Sequence, residues 1–245
     1  SLPVEQYDFV INDFEPISAW ACRAKKIPVI ACSHEYSFTH PDVPLPSKKD
    51  RMGAFVLRNY APIQLGIGIH FKPYAPFITA PVIRKEIRQL NTRSDNHFTV
   101  YLPSFSLQQI EDLLSQLPQY NWHVFSKDAL TSQIKNNIEI YPWHTMRFAE
   151  SMAFGNGVLC GAGFETSTEA LFLRKKLIVA PVKQQFEQQC NAVALKDLGI
   201  PILNNLGPGS VDLLKAWAEA PQNITLDFDL NPTQIIQQIK KVPFL

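Results

Sequence analysis

Gly157-Val158-Leu159-Cys160-Gly161-Ala162-Gly163-Phe164-Glu165-Thr166-Ser167-Thr168-Glu169 is the stretch that decides the fold. A short apolar run bounded by glycines reads as a buried strand, and a helix is expected from about Thr166 to Arg174. Two glycines directly after a strand let a phosphate group approach the backbone closely. The unpaired N–H groups of the first helical turn, with the hydroxyls of Thr166 and Ser167, can hold a diphosphate. Glu169, one turn in, can accept hydrogen bonds from ribose hydroxyls. A second reading of the same letters needs no ligand: Thr166-x-x-Glu169 is also a capping box.

Working outward, short apolar runs alternate with amphipathic stretches from His97 to the end of the chain, as in βαβ units on a parallel sheet. Strands are expected at His97 to Leu102, Trp122 to Phe125, Ile138 to Tyr141, Leu177 to Pro181 and Ile200 to Leu203. Helices are expected after Ser106, which reads as a cap, and at His144 to Phe154. Further helices are expected around Phe186 to Leu198, Val211 to Glu219 and Pro232 to Lys241. The first ninety residues are also α/β but thinner, with strands at Phe9 to Asn12, Pro28 to Cys32 and Gln64 to His70. Helices fit Pro16 to Lys25 and Arg51 to Tyr60. The basic segment 84–93 reads as a linker, giving a partial N-terminal α/β domain (1–93) and a C-terminal α/β domain (94–245).

The segment after the next expected strand, Pro181-Val182-Lys183-Gln184-Gln185-Phe186-Glu187-Gln188-Gln189-Cys190-Asn191-Ala192, crowds amides and a carboxylate at the start of one helix. Such groups suit sugar hydroxyls, although Glu187 also complements a helix dipole. Taken together, residues 161–199 resemble the donor half of the GT-B glycosyltransferases. They are most similar to the group that holds the UDP-glycosyltransferases and the N-acetylglucosaminyl transferase of peptidoglycan synthesis. The resemblance rests on Gly161-x-Gly163, the Thr/Ser turn, Glu169-Ala170-Leu171, Pro181, and Glu187-Gln188-x-x-Asn191-Ala192 in order. It implies two Rossmann-like domains, the first incomplete here, and a nucleotide-diphosphate sugar donor, UDP-type, as substrate with no cofactor. Gly161 and the run Gly163, Phe164, Glu165, Thr166 and Ser167 would meet the diphosphate, and Glu169 the ribose. Gln185, Glu187 and Gln188 would surround the donor sugar. Trp143, in Tyr141-Pro142-Trp143-His144, would sit by the base, unless it is an aromatic core corner.

The N-terminal part departs from that pattern. The chain opens Ser1-Leu2-Pro3 and its first glycine is Gly53, so the Gly-rich first loop of the family is not in this sequence. Asp13, Glu15, His34 and Glu35 fall at expected strand ends, and Asp13 and His34 are the candidates for the catalytic base. The activity expected is inverting, metal-independent sugar transfer to an acceptor hydroxyl. A sugar-nucleotide epimerase, and a non-catalytic donor-binding subunit of a split transferase, fit the same motifs. Asp227-Phe228-Asp229 has the spacing of a metal-binding carboxylate pair but is read as solvated. With few strands, Phe9, Ile11, Val29 and Ile30 are expected to be partly uncovered, and a homodimer or upstream residues to cover them.

Composition sets the outer bounds. The 245 residues carry 23 Lys+Arg against 22 Asp+Glu, a net charge of +1. That balance argues against a nucleic-acid partner. Four separated cysteines and the lack of a long apolar run point to a cytoplasmic chain. Arg51, Arg84, Lys85 and Arg88 are candidates for peripheral contact with a membrane or a lipid-phosphate acceptor, but scattered basic residues read first as solvated surface.

Overall fold

The computed structural model describes residues 2–47, 51–207, 209–221, 224, 226, 228 and 233–242. Along the chain the elements are β1 (Val10–Asn12), α1 (Pro16–Lys25), β2 (Val29–Ser33), α2 (His34–Ser37), α3 (Arg51–Asn59), β3 (Gly66–Ile69) and β4 (Ile78–Thr79). Next come α4 (Lys85–Arg88), β5 (His97–Tyr101), α5 (Leu107–Leu114), β6 (Asn121–Ser126), β7 (Gln133–Lys135), β8 (Ile138–Pro142) and α6 (Thr145–Phe154). Then follow β9 (Gly157–Cys160), α7 (Phe164–Phe172), β10 (Lys176–Val179), α8 (Phe186–Asp197), α9 (Ser210–Glu219) and α10 (Thr233–Ile239). The chain divides into two compact units: Ser1–Val82 with Asp227–Leu245, and Ile83–Leu226.

The first unit is a parallel sheet in the order β1-β2-β3-β4, with α10 packed against β3. Helix α1 spans the expected residues because both ends carry stop signals. Glu15 accepts the N–H groups of Ile17 (2.8 Å) and Ser18 (2.7 Å), Pro16 opens the helix, and Lys26 closes it in the left-handed region at φ +56°. The short strand β4 and the single turn α2 were not expected. Phe9 (39% exposed) and Ile11 (51%) are uncovered on the edge strand side, as expected. Ile30, at 2%, is not: β2 lies between β1 and β3 and is covered from both sides.

The second unit is a six-stranded sheet in the order β10-β9-β5-β6-β8-β7, parallel except for β7, an unexpected antiparallel edge. Strand β9 is buried along its whole length, as a central parallel strand must be. The core joins Phe98, Val100, Trp122, Val124, Leu159 and Ile178 of the sheet to Ile110, Leu113, Leu114 and Trp217 of α5 and α9. Helix α5 starts at a complete capping box between Ser106 and Gln109. The strand expected at Ile200 to Leu203 shrinks to a single bridge, Val179 to Ile202, because Pro201 has no N–H for a ladder.

Segment 84–93 belongs to this second unit and is not a free linker. Ile87 is fully buried, Arg93 N–H donates to the Ala153 carbonyl (3.1 Å), and Lys175 Nζ donates to the Arg93 carbonyl (2.7 Å). The boundary therefore lies at Val82, and the chain returns to the first unit after Leu226. Asp227 and Asp229 lie outside the described residues.

Candidate donor site

Strand order reverses between β5 and β9, so the turns after β9 and β10 open at the carboxyl end of the sheet, where ligands of open α/β sheets bind. The register brings the two sequence clusters together. Asn191 Nδ2 on α8 donates to the Ala162 carbonyl (3.0 Å), and Ala180 N–H donates to the Cys160 carbonyl (2.8 Å). A Cβ added to Gly161 would come within 3.4 Å of Gln188 Oε1. Motifs thirty residues apart in sequence are thus side by side.

Helix α7 begins at Phe164, with Gly163 as its N-cap and no side-chain cap. The expected start at Thr166 is two residues late, so Thr166 and Glu169 do not form a capping box. A Cβ on Gly163 would meet nothing within 4 Å. The glycine leaves open space beside the first-turn N–H groups of Phe164, Glu165 and Thr166, a ready anion site. Of the side chains expected there, Glu165 is exposed and Phe164 and Thr166 are half-buried.

Ser167 is a correction. Its hydroxyl is wholly buried on the sheet side, beside the Cys160 thiol and without a partner of ordinary hydrogen-bond geometry. Burial pushes that thiol up to about 12, against a slight lowering by Ser167. A group so placed cannot reach a diphosphate at the helix start. Thr168 Oγ1 is likewise turned back to the carbonyls of Phe164 (2.9 Å) and Glu165 (2.8 Å).

Glu169 is buried on α7, but not unpaired. Arg84 Nε donates to its Oε1 (2.6 Å) and Arg84 Nη2 to its Oε2 (2.9 Å). This two-point pair holds the guanidinium above its ordinary pKa, with the charges of Glu165 and Glu86 adding to that of Glu169. Sequence reasoning missed Arg84, which it read as surface.

In the second cluster, Gln185 is the N-cap residue of α8 and makes no side-chain cap. Gln188 Oε1 accepts from Val182 N–H (3.1 Å) and Gln189 Nε2 donates to the Val182 carbonyl (2.8 Å), which pins the β10–α8 loop. Glu187 Oε1 accepts from Asn191 Nδ2 (3.2 Å). Asn191 therefore ties one turn to the other. Trp143 follows β8 and stacks on Tyr101, centroids 4.2 Å apart, with Phe148 behind it. It is an aromatic corner that also lies at the carboxyl end of its strand.

The family model of glycosyl transferase family 1 matches residues 4–214, through both units. The chain belongs to this family. No curated protein matches it. Among solved structures, this family member is similar to the glycotransferase of kitacinnamycin, with TM-score 0.57 and 14% identity, over 97% of this chain and 72% of that one. It is similar to MurG of Acinetobacter baumannii, with TM-score 0.56 and 15% identity, over 97% and 75%. A third is the spinosyn rhamnosyltransferase SpnG complexed with thymidine diphosphate, with TM-score 0.54 and 13% identity, over 98% and 72%. These likenesses establish the GT-B glycosyltransferase fold expected from residues 161–199. No described helix is long and apolar enough to cross a membrane.

Glycosyl transferase family 1 is a family of sugar transferases, which directs attention to the first unit for a base. His34 is buried: its Nδ1 donates to the Ile69 carbonyl (2.7 Å), and its ring packs against Phe38, His70 and Phe71. His70, in the same core, is lowered to about 2 by burial and by His34. His34 is thus a core histidine without the access a base needs. Its neighbour Glu35 lines a cavity of about 180 Å³ with Asn12, Phe14, Ser33 and Tyr36, at the carboxyl ends of β1 and β2. Burial raises the Glu35 pKa, and the charge of exposed Asp13 raises it further. Glu15 is committed to capping α1. A larger cavity, about 560 Å³, is lined by Cys22, Lys26, Pro28 and Gln64. It opens at the amino ends of β2 and β3, away from the helix N-termini, and is the poorer candidate despite its size.

Proposed function

We propose that the protein moves a sugar from a nucleotide-diphosphate sugar, UDP-type, to an acceptor hydroxyl with inversion and without a metal. The observation that carries this reading is the joining of the two turns, Asn191 to Ala162 and Gln188 against Gly161. The diphosphate would lie on the N–H groups that start α7, beside Gly161 and Gly163. Glu169 would take the ribose, Trp143 the base, and Gln185, Glu187 and the amide of Gln188 the sugar hydroxyls.

The acceptor oxygen attacks the anomeric carbon, and its proton passes to a carboxylate base, for which Asp13 and Glu35 are the candidates. A carboxyl group raised by burial and a like charge is the better proton acceptor near neutral pH. As the carbon–oxygen bond to the diphosphate breaks, its electron pair leaves on the phosphate oxygen. The dipole and N–H groups of α7 stabilise that charge in place, the role a metal ion fills elsewhere. Binding of UDP, with chemical-shift changes concentrated at Trp143, at residues 161–191 and at the side chains that touch them, tests the site. Anomeric proton couplings of the product test inversion, and turnover in chelator tests metal independence. Incubation of donor without acceptor separates transfer from epimerisation. Failure of UDP and thymidine diphosphate to bind would sink the reading.

A further inference from the structure

The Glu169 side chain is 7% exposed, while that of Arg84, which covers it, is 46% exposed. The guanidinium is a roof over the carboxylate. It presents two donors to the two oxygens in one plane. A ribose cis-diol addresses a carboxylate in the same manner, with one O–H to each oxygen. The carboxylate has lone pairs to spare, but with only 7% of the Glu169 side chain exposed the guanidinium occupies the open approach to both oxygens, so a diol that enters from that side displaces it.

The backbone of Arg84 is fixed but its side chain is long. Ile83 and Ile87 on either side are buried, and Arg84 is the N-cap residue of α4. The guanidinium already feels the charge of Glu165, which precedes Glu169 by one turn of α7. A displacement of about 5.4 Å along that helix brings it to the first turn. There the donor diphosphate is proposed to bind, and a guanidinium fork matches phosphate as well as it matches carboxylate.

We propose that Arg84 is an exchange latch for a ribonucleoside diphosphate: it covers Glu169 when the site is empty and turns to the diphosphate when the ribose diol takes Glu169. The inference rests on the donor-site reading above. It makes the ribose and phosphate contacts mutually dependent, because the diol releases the cation that the phosphates use.

The test compares uridine, which has the diol alone, with UDP, in the full chain and in Arg84→Gln and Arg84→Lys. Arg84→Gln should bind uridine about threefold to tenfold more tightly, as one fork is no longer displaced. The advantage of UDP over uridine should shrink at least about tenfold, the size of a lost charged contact. Arg84→Lys keeps the charge without the fork and should retain most of that advantage. In the unmutated protein, saturating uridine should shift the Arg84 Nε–H resonance as its bond to Glu169 breaks, a readout independent of how well any variant folds. Equal weakening of uridine and UDP in Arg84→Gln would overturn the latch and leave Arg84 as a support for Glu169. An Nε–H signal unmoved by bound uridine would overturn it as well. If the unmutated protein binds neither probe, the donor-site reading itself has failed, and this is seen before any variant is made.

Discussion

Gly163 is the position where fold and ligand make opposite demands, and Gly163→Asp separates them. The residue is the N-cap of α7 in extended backbone (φ −69°, ψ 141°), a conformation open to any side chain. A Cβ there meets nothing within 4 Å. Aspartate is among the best N-cap residues, worth a few tenths of a kcal/mol over glycine, and its charge favours the helix dipole by about 0.3–1 kcal/mol. Glu165, already in the first turn, offsets part of this, so a net gain of about 0.5 kcal/mol is expected. The diphosphate meets the reverse. The carboxylate takes the N–H groups the phosphate would use and adds a like charge. At about 4 Å and an effective dielectric near 20, one such pair costs about 4 kcal/mol. With screening by salt, UDP affinity should fall about 100- to 1000-fold. Denaturant unfolding and calorimetric titration of the same sample give both numbers. Gly163→Ala is the control for bulk alone: it loses the cap preference but adds no charge. A Gly163→Asp protein that is at least as stable and binds UDP within about threefold of the original would refute the reasoning. The turn would then be only the start of a helix.

Three further outcomes are expected. Glu187→Ala should weaken an intact UDP-sugar while leaving UDP within about twofold, whereas Gln188→Ala should weaken both, because it also frees the Val182 N–H that pins the loop; equal losses in the two variants would be the contrary result in titration. Ser167→Ala should leave UDP affinity unchanged and stability unchanged or up to about 1 kcal/mol higher, since it removes a buried hydroxyl without a partner; a tenfold loss of affinity would restore Ser167 to the site. His123 is held down to about 4 by burial and by stacked His97, so the unfolded chain takes a proton below the ordinary value of 6.5 and the folded one does not. The stability it supports is full above pH 6.5 and is lost, by about 3 kcal/mol, as pH falls to 4; hydrogen exchange of β6 amides should show this acid slope and His123→Phe should flatten it.

How much of this was legible in the sequence depends on how local each cause is. Helix α1 was readable to the residue because Glu15, Pro16 and Lys26 act through their own neighbours in sequence. The strand-to-helix turn after β9 was readable because glycines after a buried strand leave few alternatives. The facing of Ser167 was also available and was overlooked. At 100° per residue, Ser167 shares a helix face with Ala170 and Leu171, so a stretch Thr166-Ser167-Thr168-Glu169 cannot point every hydroxyl at one ligand. Arg84 was not readable at all. Nothing near it in sequence distinguishes it from Lys85 or Arg88, and its partner is 85 residues away. Only the packing of Ile83 and Ile87 into the second unit fixes where its side chain begins. The same holds in reverse for His34. A histidine at the end of a strand looks like a base, yet the Ile69 carbonyl, the rings of His70 and Phe71 just after β3, and Phe38 decide that it is core. Glu35, one residue on, points to the cavity because successive side chains at the start of α2 diverge by about 100°. Residue type names the chemistry a position can do, and the distant contact decides which of two adjacent candidates is in a place to do it.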